Sequence, residues 1–318
     1  MSGAHWHPNV GRGILEQRAK FLELIRQFFK QRGVIEVDTP VLSRATVTDP
    51  YLHPIQVPQT TQSEETLFLQ TSPEYAMKRL LAAGSGDIFQ ICKAFRGAEV
   101  GRLHNPEFYL LEWYRLDFDI HKICAELSDL LGMTLATDKA EIVTYREVFM
   151  TYLNVDIEHA TDPELTELVA GHCPGLDCHD RDDMLSALFA TCIEPNLGAD
   201  CPVIISHYPA SQASLARLDI NNPDYALRFE AFYRGIELAN GFVELTDARE
   251  QEKRFQKDNF KRQLSQLPTM PIDSNLIAAL EYGLPNCSGV ALGIERLLML
   301  ALEKDSIAEV MAFPFNKA

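Results

Sequence analysis

The chain has no apolar run approaching the ~20 residues that a bilayer span needs, so no membrane association is expected of its 318 residues. The stretch from Met1 to Pro8 carries two histidines and no apolar core, so it does not read as a secretory signal. Cations are scarce. Lys and Arg total 29 against 45 Asp and Glu, a net charge of −16. A surface that acidic repels phosphate backbones, which disfavours general nucleic-acid binding. It still permits a small anionic ligand held by a few arginines. Cysteines number seven, an odd count. With no export signal they read as reduced thiols, and the expected compartment is the cytoplasm. No Walker loop, dinucleotide glycine fingerprint or Ser-His-Asp order stands out. There is no internal repeat, low-complexity linker or composition break that demands a second domain.

What is present is a globular composition, 46% hydrophobic and 23% charged. A chain of this length buries roughly three quarters of its unfolded surface. Leu15, Leu22, Ile25 and Phe29 share one face of a first helix, and Gly33 suits the residue just past its end. Val34 to Val37 is extended and runs into Pro40, which lacks a donor, so this reads as an edge or strand end. Leu67 to Gln70 reads as a strand. Ser72-Pro73-Glu74 then opens a helix, with Ser72 as cap and Pro73 in first position. Met77, Leu80 and Leu81 continue its apolar face, and Gly84 stops it.

Two long strands follow, Ile88 to Arg96 and Glu107 to Leu116. Period two puts Gln90, Cys92, Ala94 and Arg96 on one face of the first strand, and Phe108, Leu110, Glu112 and Tyr114 on one face of the second. The loop between them, with Gly97, Gly101 and Pro106, is too long for a tight hairpin and is expected to have a function. Residues 119-200 read as helical, acidic and irregular, with one helix from Asp162-Pro163 to Gly171. Strands return at Pro202 to Ser206, Leu227 to Phe232 and Ile236 to Leu245. Asp247 and Glu250 form a capping box. A glycine-rich strand, Ser288 to Gly293, leads into the apolar helix Ile294 to Leu302. Long strands with local connections and helices at the ends predict an α+β fold, an antiparallel sheet flanked by helices.

Several residues are candidates for chemistry. Arg96 ends a strand beside a glycine-containing loop, and Arg296 sits in the first turn of a helix. Arginine's planar fork matches phosphate oxygens, although pairing with the many carboxylates is the alternative. Glu230, Glu237 and Glu244 recur every seven residues. If Arg234-Gly235 is a two-residue turn, positions 232 and 237 oppose each other, and Glu230 and Glu237 share a face. Like charges there repel unless a cation joins them, and Mg²⁺ bound by carboxylates and phosphates is the usual solution. A solvated acidic face is the alternative. Glu244 returns to that face only through a bulge, placed here at Asn240-Gly241. Glu112 and Tyr114 share an otherwise apolar face, and a buried carboxylate needs a partner. The cluster His172, Cys173, Cys178 and His179 matches zinc spacing only loosely, and scattered thiols are the alternative. Lys253, Arg254, Lys257, Lys261 and Arg262 read as a solvated helix face, or as a docking surface for an acidic partner.

Together these residues resemble a known family. Gly33 to Pro40 resembles motif 1 of the class II aminoacyl-tRNA synthetases. Phe95-Arg96 with His104-Asn105-Pro106-Glu107-Phe108 resembles motif 2, and Gly293-Ile294-Glu295-Arg296 resembles motif 3. Thr71-Ser72-Pro73-Glu74, Leu111-Glu112-Trp113-Tyr114 and Glu237-Leu238-Ala239-Asn240-Gly241-Phe242 point to the lysyl-tRNA synthetase branch. The resemblance covers nearly the whole chain. Lysyl-tRNA synthetases carry an N-terminal OB-fold that binds the anticodon. Here the first helix begins near residue 14, leaving no room for it, and the acidic charge agrees with loss of tRNA binding. The chain is similar to truncated paralogues that attach (R)-β-lysine to a lysine side chain of translation elongation factor P.

That resemblance implies one class II synthetase-like catalytic domain over 1-318, with 119-200 a variable segment between motifs 2 and 3. It implies ATP, Mg²⁺ and a homodimer formed through motif 1. Arg96 would hold the α-phosphate, where charge builds as the substrate carboxylate attacks. Phe108 would stack on adenine with Asn105 beside it. Arg296 would cover the other adenine face and reach the γ-phosphate. Gly97, Ala98, His104, Leu238 and Gly293 complete the implied nucleotide site. Glu230 and Glu237 would bind Mg²⁺. Glu112, Tyr114 and Glu244 would receive the substrate's side-chain ammonium, while Ser72, Pro73, Glu74, Asn240 and Ala291 line the rest of the amino-acid pocket.

Two departures stand out. Motif 2 reads Phe-Arg-x-Glu in the family, whereas Ala98 occupies the Glu position here and Glu99 is the candidate replacement through a shifted loop. Ala291 stands where lysyl-tRNA synthetases have Gly, a change compatible with a β-amino acid. Two other readings remain: a catalytically inactive paralogue acting as a regulatory subunit, and a lysine-activating ligase with another acceptor.

Overall fold

A computed structural model describes residues 6–58 and 66–318; the first five residues of the N-terminal stretch read above lie outside them. In chain order the elements are α1 (Arg12–Gln31), β1 (Ile35–Glu36), β2 (Leu42–Ser43), β3 (Gln56–Val57), β4 (Leu67–Leu69), α2 (Glu74–Ala82), β5 (Ile88–Phe95) and β6 (Glu107–Leu116). Then come α3 (Ile120–Leu135), β7 (Glu141–Thr144), α4 (Tyr145–Leu153), α5 (Asp162–His172), α6 (Arg181–Leu188), β8 (Val203–Pro209), β9 (Tyr225–Tyr233) and β10 (Ile236–Val243). The last are α7 (Ala248–Leu264), α8 (Ser274–Gly283), β11 (Cys287–Gly293) and α9 (Ile294–Ala301). They gather into two compact units. One holds the residues up to Asp117 with Thr246–Ala318, and the other is Phe118–Leu245. Among the described residues no helix is long and apolar enough to cross a membrane.

In the first unit the strands run in the order β1-β5-β6-β11, with β1 parallel to β5 and the other pairs antiparallel. A small sheet, β2-β4-β3, stands apart. One face of the larger sheet is apolar: Phe89, Trp113 and Val290 are all buried. Helix α1 covers it. Phe29 stacks on Phe89 at 4.7 Å and meets Trp113 at 5.3 Å. The buried stripe of α1 is Phe21, Ile25, Phe28 and Phe29, and Leu15 is exposed. Fully burying a phenylalanine stabilises by about 1.5–3 kcal/mol, so the aromatic residues take the core in place of the expected leucines. Gly33 follows the helix with φ +71°, the left-handed conformation expected of it.

Helix ends differ from the sequence reading in detail. Pro73 is the N-cap of α2, and Ser72 accepts the Glu74 N–H from one residue further out, at 3.2 Å. Asp247 caps α7 through the N–H groups of Arg249 and Glu250, while the Glu250 side chain accepts from Arg254. Arg262, read as part of a solvated face, is buried. Its guanidinium donates to the carbonyls of Pro268 and Asp49 at 2.7 and 2.9 Å. Those carbonyls replace water, which is how a buried cation is tolerated there.

In the second unit the strand order is β10-β9-β8-β7, with β7 parallel to β8. Strand β7 lies inside the segment read as helical; it is a short edge, exposed at Glu141 and Ile142 and half-buried at Val143 and Thr144. Capping boxes at Thr144/Glu147 and Thr161/Glu164 start α4 and α5, and α5 continues one residue past Gly171. Tyr145, Phe149, Phe189, Tyr208 and Phe232 form an aromatic core. Arg234 and Gly235 make the two-residue turn, with φ +51° and +68°. Glu237 then opposes Phe232, as that turn requires. A Cβ on Gly235 would meet the Pro195 carbonyl oxygen at 2.9 Å, so glycine is needed for space as well as for conformation.

Two bulges shape this half-sheet. The one in β10 falls at Leu238, between Glu237 and Ala239, and not at Asn240-Gly241. Its effect is the one expected. Asn240 now pairs with Glu230, so alternation carries Asn240, Phe242 and Glu244 to the Glu230 face. The other lies between β8 and β9, where the single residue His207, with φ +57°, stands against two, Leu227 and Arg228. It turns Tyr208 toward Glu230.

Candidate active site

The second face of the first unit's sheet is polar and carries most of the candidate residues. Strand register sets three side chains in one row, Gln90 on β5, Glu112 on β6 and Ala291 on β11. The next row is Ile88, Tyr114 and Gly289, and the other neighbour is Cys92, Leu110 and Gly293. Small residues at 289, 291 and 293 leave space beside the bulky, polar β6. Glu112 and Tyr114 are each 2% exposed, and the Tyr114 hydroxyl donates to Glu112 Oε1 at 2.7 Å. A carboxylate held this way is set to receive a cationic group.

The Thr71–Glu74 segment is tied to this sheet through Gln70. Its carbonyl accepts from Phe95 N–H at 2.9 Å, and its Nε2 donates to the Lys93 carbonyl at 2.7 Å. Ser72, Pro73 and Glu74 therefore lie near the end of β5, where Arg96 follows. Glu74 Oε1 accepts from the buried Lys78 Nζ at 2.6 Å.

The loop between β5 and β6 is pinned at both ends. Arg96 N–H donates to Pro106 O at 2.9 Å, and Gly97 N–H donates to His53 O at 2.7 Å. Ala98 then takes φ +62°, rare for a residue with a side chain. The chain doubles back through the Gly101–His104 pair of backbone bonds, so Glu99 faces His104 at 4.0 Å. Arg96 lies over the Phe108 ring, 5.2 Å from its centroid. Arg296 Nη2 donates to His104 Nε2 at 2.7 Å, and its Nε donates to Leu103 O at 3.2 Å. Burial, and then the Arg296 charge, hold the His104 imidazole below its ordinary value, which keeps that nitrogen an acceptor. Arg96, His104, Phe108 and Arg296 thus converge within one unit. Asn105 points elsewhere: its amide donates to Glu107 O at 2.6 Å and accepts from Phe315 N–H at 2.9 Å. Gly293 caps α9, and a Cβ there would come within 3.9 Å of the Arg296 side chain.

In the second unit Glu230, Glu237 and Asn240 share one face. Glu230 is buried, and Tyr208 donates to its Oε2 at 2.7 Å while Arg228 bonds its Oε1. Arg228 Nη1 also donates to Gln212 O at 2.8 Å. Burial and the neighbouring Glu230 charge hold the Tyr208 hydroxyl well above its ordinary value, so it stays a donor. Glu237 is half-buried, Glu244 is buried, and Leu238 packs inward at its bulge. Glu230 and Glu237 are carboxylates on one face, the ligand type a hard divalent cation takes, and both Glu230 oxygens already have protein partners, Tyr208 and Arg228.

All seven cysteines are free thiols. Cys173 is buried and donates weakly to Ala187 O. Among the described residues the one grouping with metal-ligand spacing is Asp156, Glu158 and His159, away from the cysteine cluster. Arg146 already pairs with its two carboxylates.

Several partners were not singled out from sequence. Glu295, beside Arg296, accepts from Arg18 at 2.7 Å and from Tyr109 N–H at 2.8 Å, which ties α9 to α1 and β6. Arg228 lies two residues before Glu230, so strand alternation alone signals it. Tyr208 reaches Glu230 across the β8–β9 register slip at His207, which nothing in the local sequence announces.

An antiparallel sheet with an arginine at the start of its long loop, an aromatic ring beneath it, and a second arginine opening the following helix defines a class II aminoacyl-tRNA synthetase catalytic fold. The chain belongs to that family: the model described as tRNA synthetases class II (D, K and N) matches residues 6–317. Over 326 residues it is 49% identical to the elongation factor P--(R)-beta-lysine ligase of Edwardsiella ictaluri (strain 93-146), covering 99% of both chains. Over 322 residues it is 48% identical to the protein of the same name from Sodalis glossinidius (strain morsitans), again covering 99% of both.

Proposed function

We propose that this protein activates (R)-β-lysine with ATP and transfers it to a lysine side chain of translation elongation factor P. The observation that carries the reading is the near-complete, near-half identity to two ligases named for that reaction. The substrate carboxylate attacks the α-phosphorus, and the bond to pyrophosphate breaks. The acceptor lysine amine then attacks the acyl carbon of the adenylate. AMP leaves, an amide forms, and the amine loses a proton.

Catalysis rests on positioning and electrostatics, with no protein nucleophile. Arg96 holds the α-phosphate, Phe108 stacks on adenine, and Arg296, steadied by neutral His104, reaches the γ-phosphate. Gly97, Ala98, Leu238 and Gly293 contribute backbone around the nucleotide. Asn105, with its amide committed to backbone, shapes the site without reading the base. In the first unit Glu112 and Tyr114 take the side-chain ammonium, with Ser72, Pro73, Glu74 and Ala291 around them; in the second unit Asn240 and Glu244 are the substrate-binding residues. Glu230 and Glu237 would hold Mg²⁺, which supplies charge neutralisation for the phosphates. The Ala291 methyl shifts the fit toward a displaced amine; a methyl discriminates by only about 1–3 kcal/mol, so this is a preference.

The wider reading is one catalytic domain over 1-318, a homodimer joined through motif 1, acting in the cytoplasm without tRNA or other nucleic acid. The test is transfer. Purified protein, ATP, Mg²⁺ and (R)-β-lysine are incubated with elongation factor P, and intact mass is read. A single β-lysyl addition that disappears when the acceptor lysine is changed to arginine supports the reading, and no addition contradicts it.

A further inference from the structure

Gln90 stands in one row with Glu112 and Ala291, and no role above uses it. It is 2% exposed. The buried Thr39 hydroxyl donates to Gln90 Oε1 at 3.0 Å. That bond decides which end of the amide is which: the oxygen is held by Thr39, and the NH₂ end points elsewhere. The one approach Gln90 Nε2 makes among the described residues is to the Cys92 sulfur, and it falls short of a standard hydrogen bond. A buried amide donor with only a weak acceptor is poorly compensated, so a better use for it is expected.

The register says what lies within its reach. Directly opposed residues on one face of an antiparallel pair have Cβ atoms about 4.5–5.5 Å apart. The residue directly opposite Gln90 is Glu112. Cys92 is the other polar neighbour along β5, and burial pushes its thiol up to about 12, so it remains neutral. A thiol sulfur is a weak acceptor, and a carboxylate is a strong one.

We propose that Gln90 is a positioning residue for ammonium recognition: its Nε2–H donates to the Glu112 carboxylate once substrate is bound. With Tyr114 on Oε1 and Gln90 on the second oxygen, the carboxylate is fixed in charge and direction. A fixed, charged acceptor sorts a terminal ammonium from a neutral end group of the same length. The inference rests on the reading of Glu112 as the ammonium acceptor.

The test is Gln90→Met, which keeps length and removes both amide ends. Pyrophosphate exchange gives the KM for (R)-β-lysine and for ATP separately. The expected result is a KM for the amino acid raised about 10- to 100-fold, from loss of a hydrogen bond to a charged group. The KM for ATP stays within about twofold, because Gln90 lies in the amino-acid row. Discrimination against an analogue lacking the side-chain ammonium falls in step. Thr39→Val frees the amide to turn its oxygen toward Glu112, and should raise the same KM by about 2- to 10-fold. It carries the test if Gln90→Met does not fold. A folded variant with an unchanged amino-acid KM overturns the proposal, and so does a parallel rise in both KM values. No exchange by the unaltered chain contradicts the functional reading and this inference with it. Exchange by the unaltered chain with unaffected variants contradicts the role of Gln90 alone.

Discussion

Replacing Tyr208 by Phe deletes a single oxygen atom from the aromatic core of the second unit. That oxygen donates to Glu230 Oε2 at 2.7 Å, and the Glu230 side chain is 12% exposed. A hydrogen bond to a buried charged group contributes about 1.5–3 kcal/mol. Arg228 stays on the other oxygen in the variant, so the carboxylate remains compensated and the cost falls near the middle, about 2 kcal/mol. Melting temperature should drop by roughly 3–6 °C. Urea unfolding of Tyr208→Phe, Glu230→Gln and the double variant closes the cycle, with a coupling energy of about 1–2 kcal/mol expected. Arg228→Met should cost more, about 3–5 kcal/mol, because it leaves a buried carboxylate without its cation. A coupling energy below about 0.5 kcal/mol would mean that Tyr208 does not hold Glu230, and the case for a fixed carboxylate at that position would fail.

Three further outcomes are expected. Glu237→Gln should abolish adenylate formation while the protein stays folded; near-normal pyrophosphate release would remove Glu237 from the metal site. Gly235→Ala should destabilise by about 2–4 kcal/mol, because a left-handed turn residue and a close backbone approach are both violated; a loss under about 1 kcal/mol in urea would show the turn relaxes. His104 favours its neutral form when folded, because burial and Arg296 depress its value. Its contribution is therefore complete above the ordinary histidine value of about 6.5 and lost as pH falls through the depressed folded value. The thermal shift induced by magnesium-ATP should shrink on acidification below that ordinary value and do so less in His104→Asn; identical profiles would contradict the Arg296–His104 contact.

Much of the site was legible in the chain because strand periodicity is local. The shared face of Glu230 and Glu237 followed from a two-residue turn at Arg234-Gly235, and the strand register bears it out. The need for a bulge to return Glu244 was visible, but its place was not. Gly241 drew the prediction, whereas the register slips at Leu238, a buried apolar residue with no turn signature. Buried polar pairs over long separations were the least legible. Thr39 with Gln90, Arg18 with Glu295 and Tyr208 with Glu230 depend on which elements come together. Arg262 misled for the opposite reason. Its neighbours on α7 are solvated cations, and only the carbonyls of another segment reveal that it is buried.

The central claim is amino-acid activation, and ATP–pyrophosphate exchange without tRNA tests it most directly. (R)-β-lysine and α-lysine are compared at equal concentration. Strong exchange with (R)-β-lysine and weaker exchange with α-lysine are expected, the difference falling in the range of about 1–3 kcal/mol that one pocket methyl supplies. Exchange with neither, in folded protein that still binds magnesium-ATP, would contradict it and leave a nucleotide-binding regulatory paralogue.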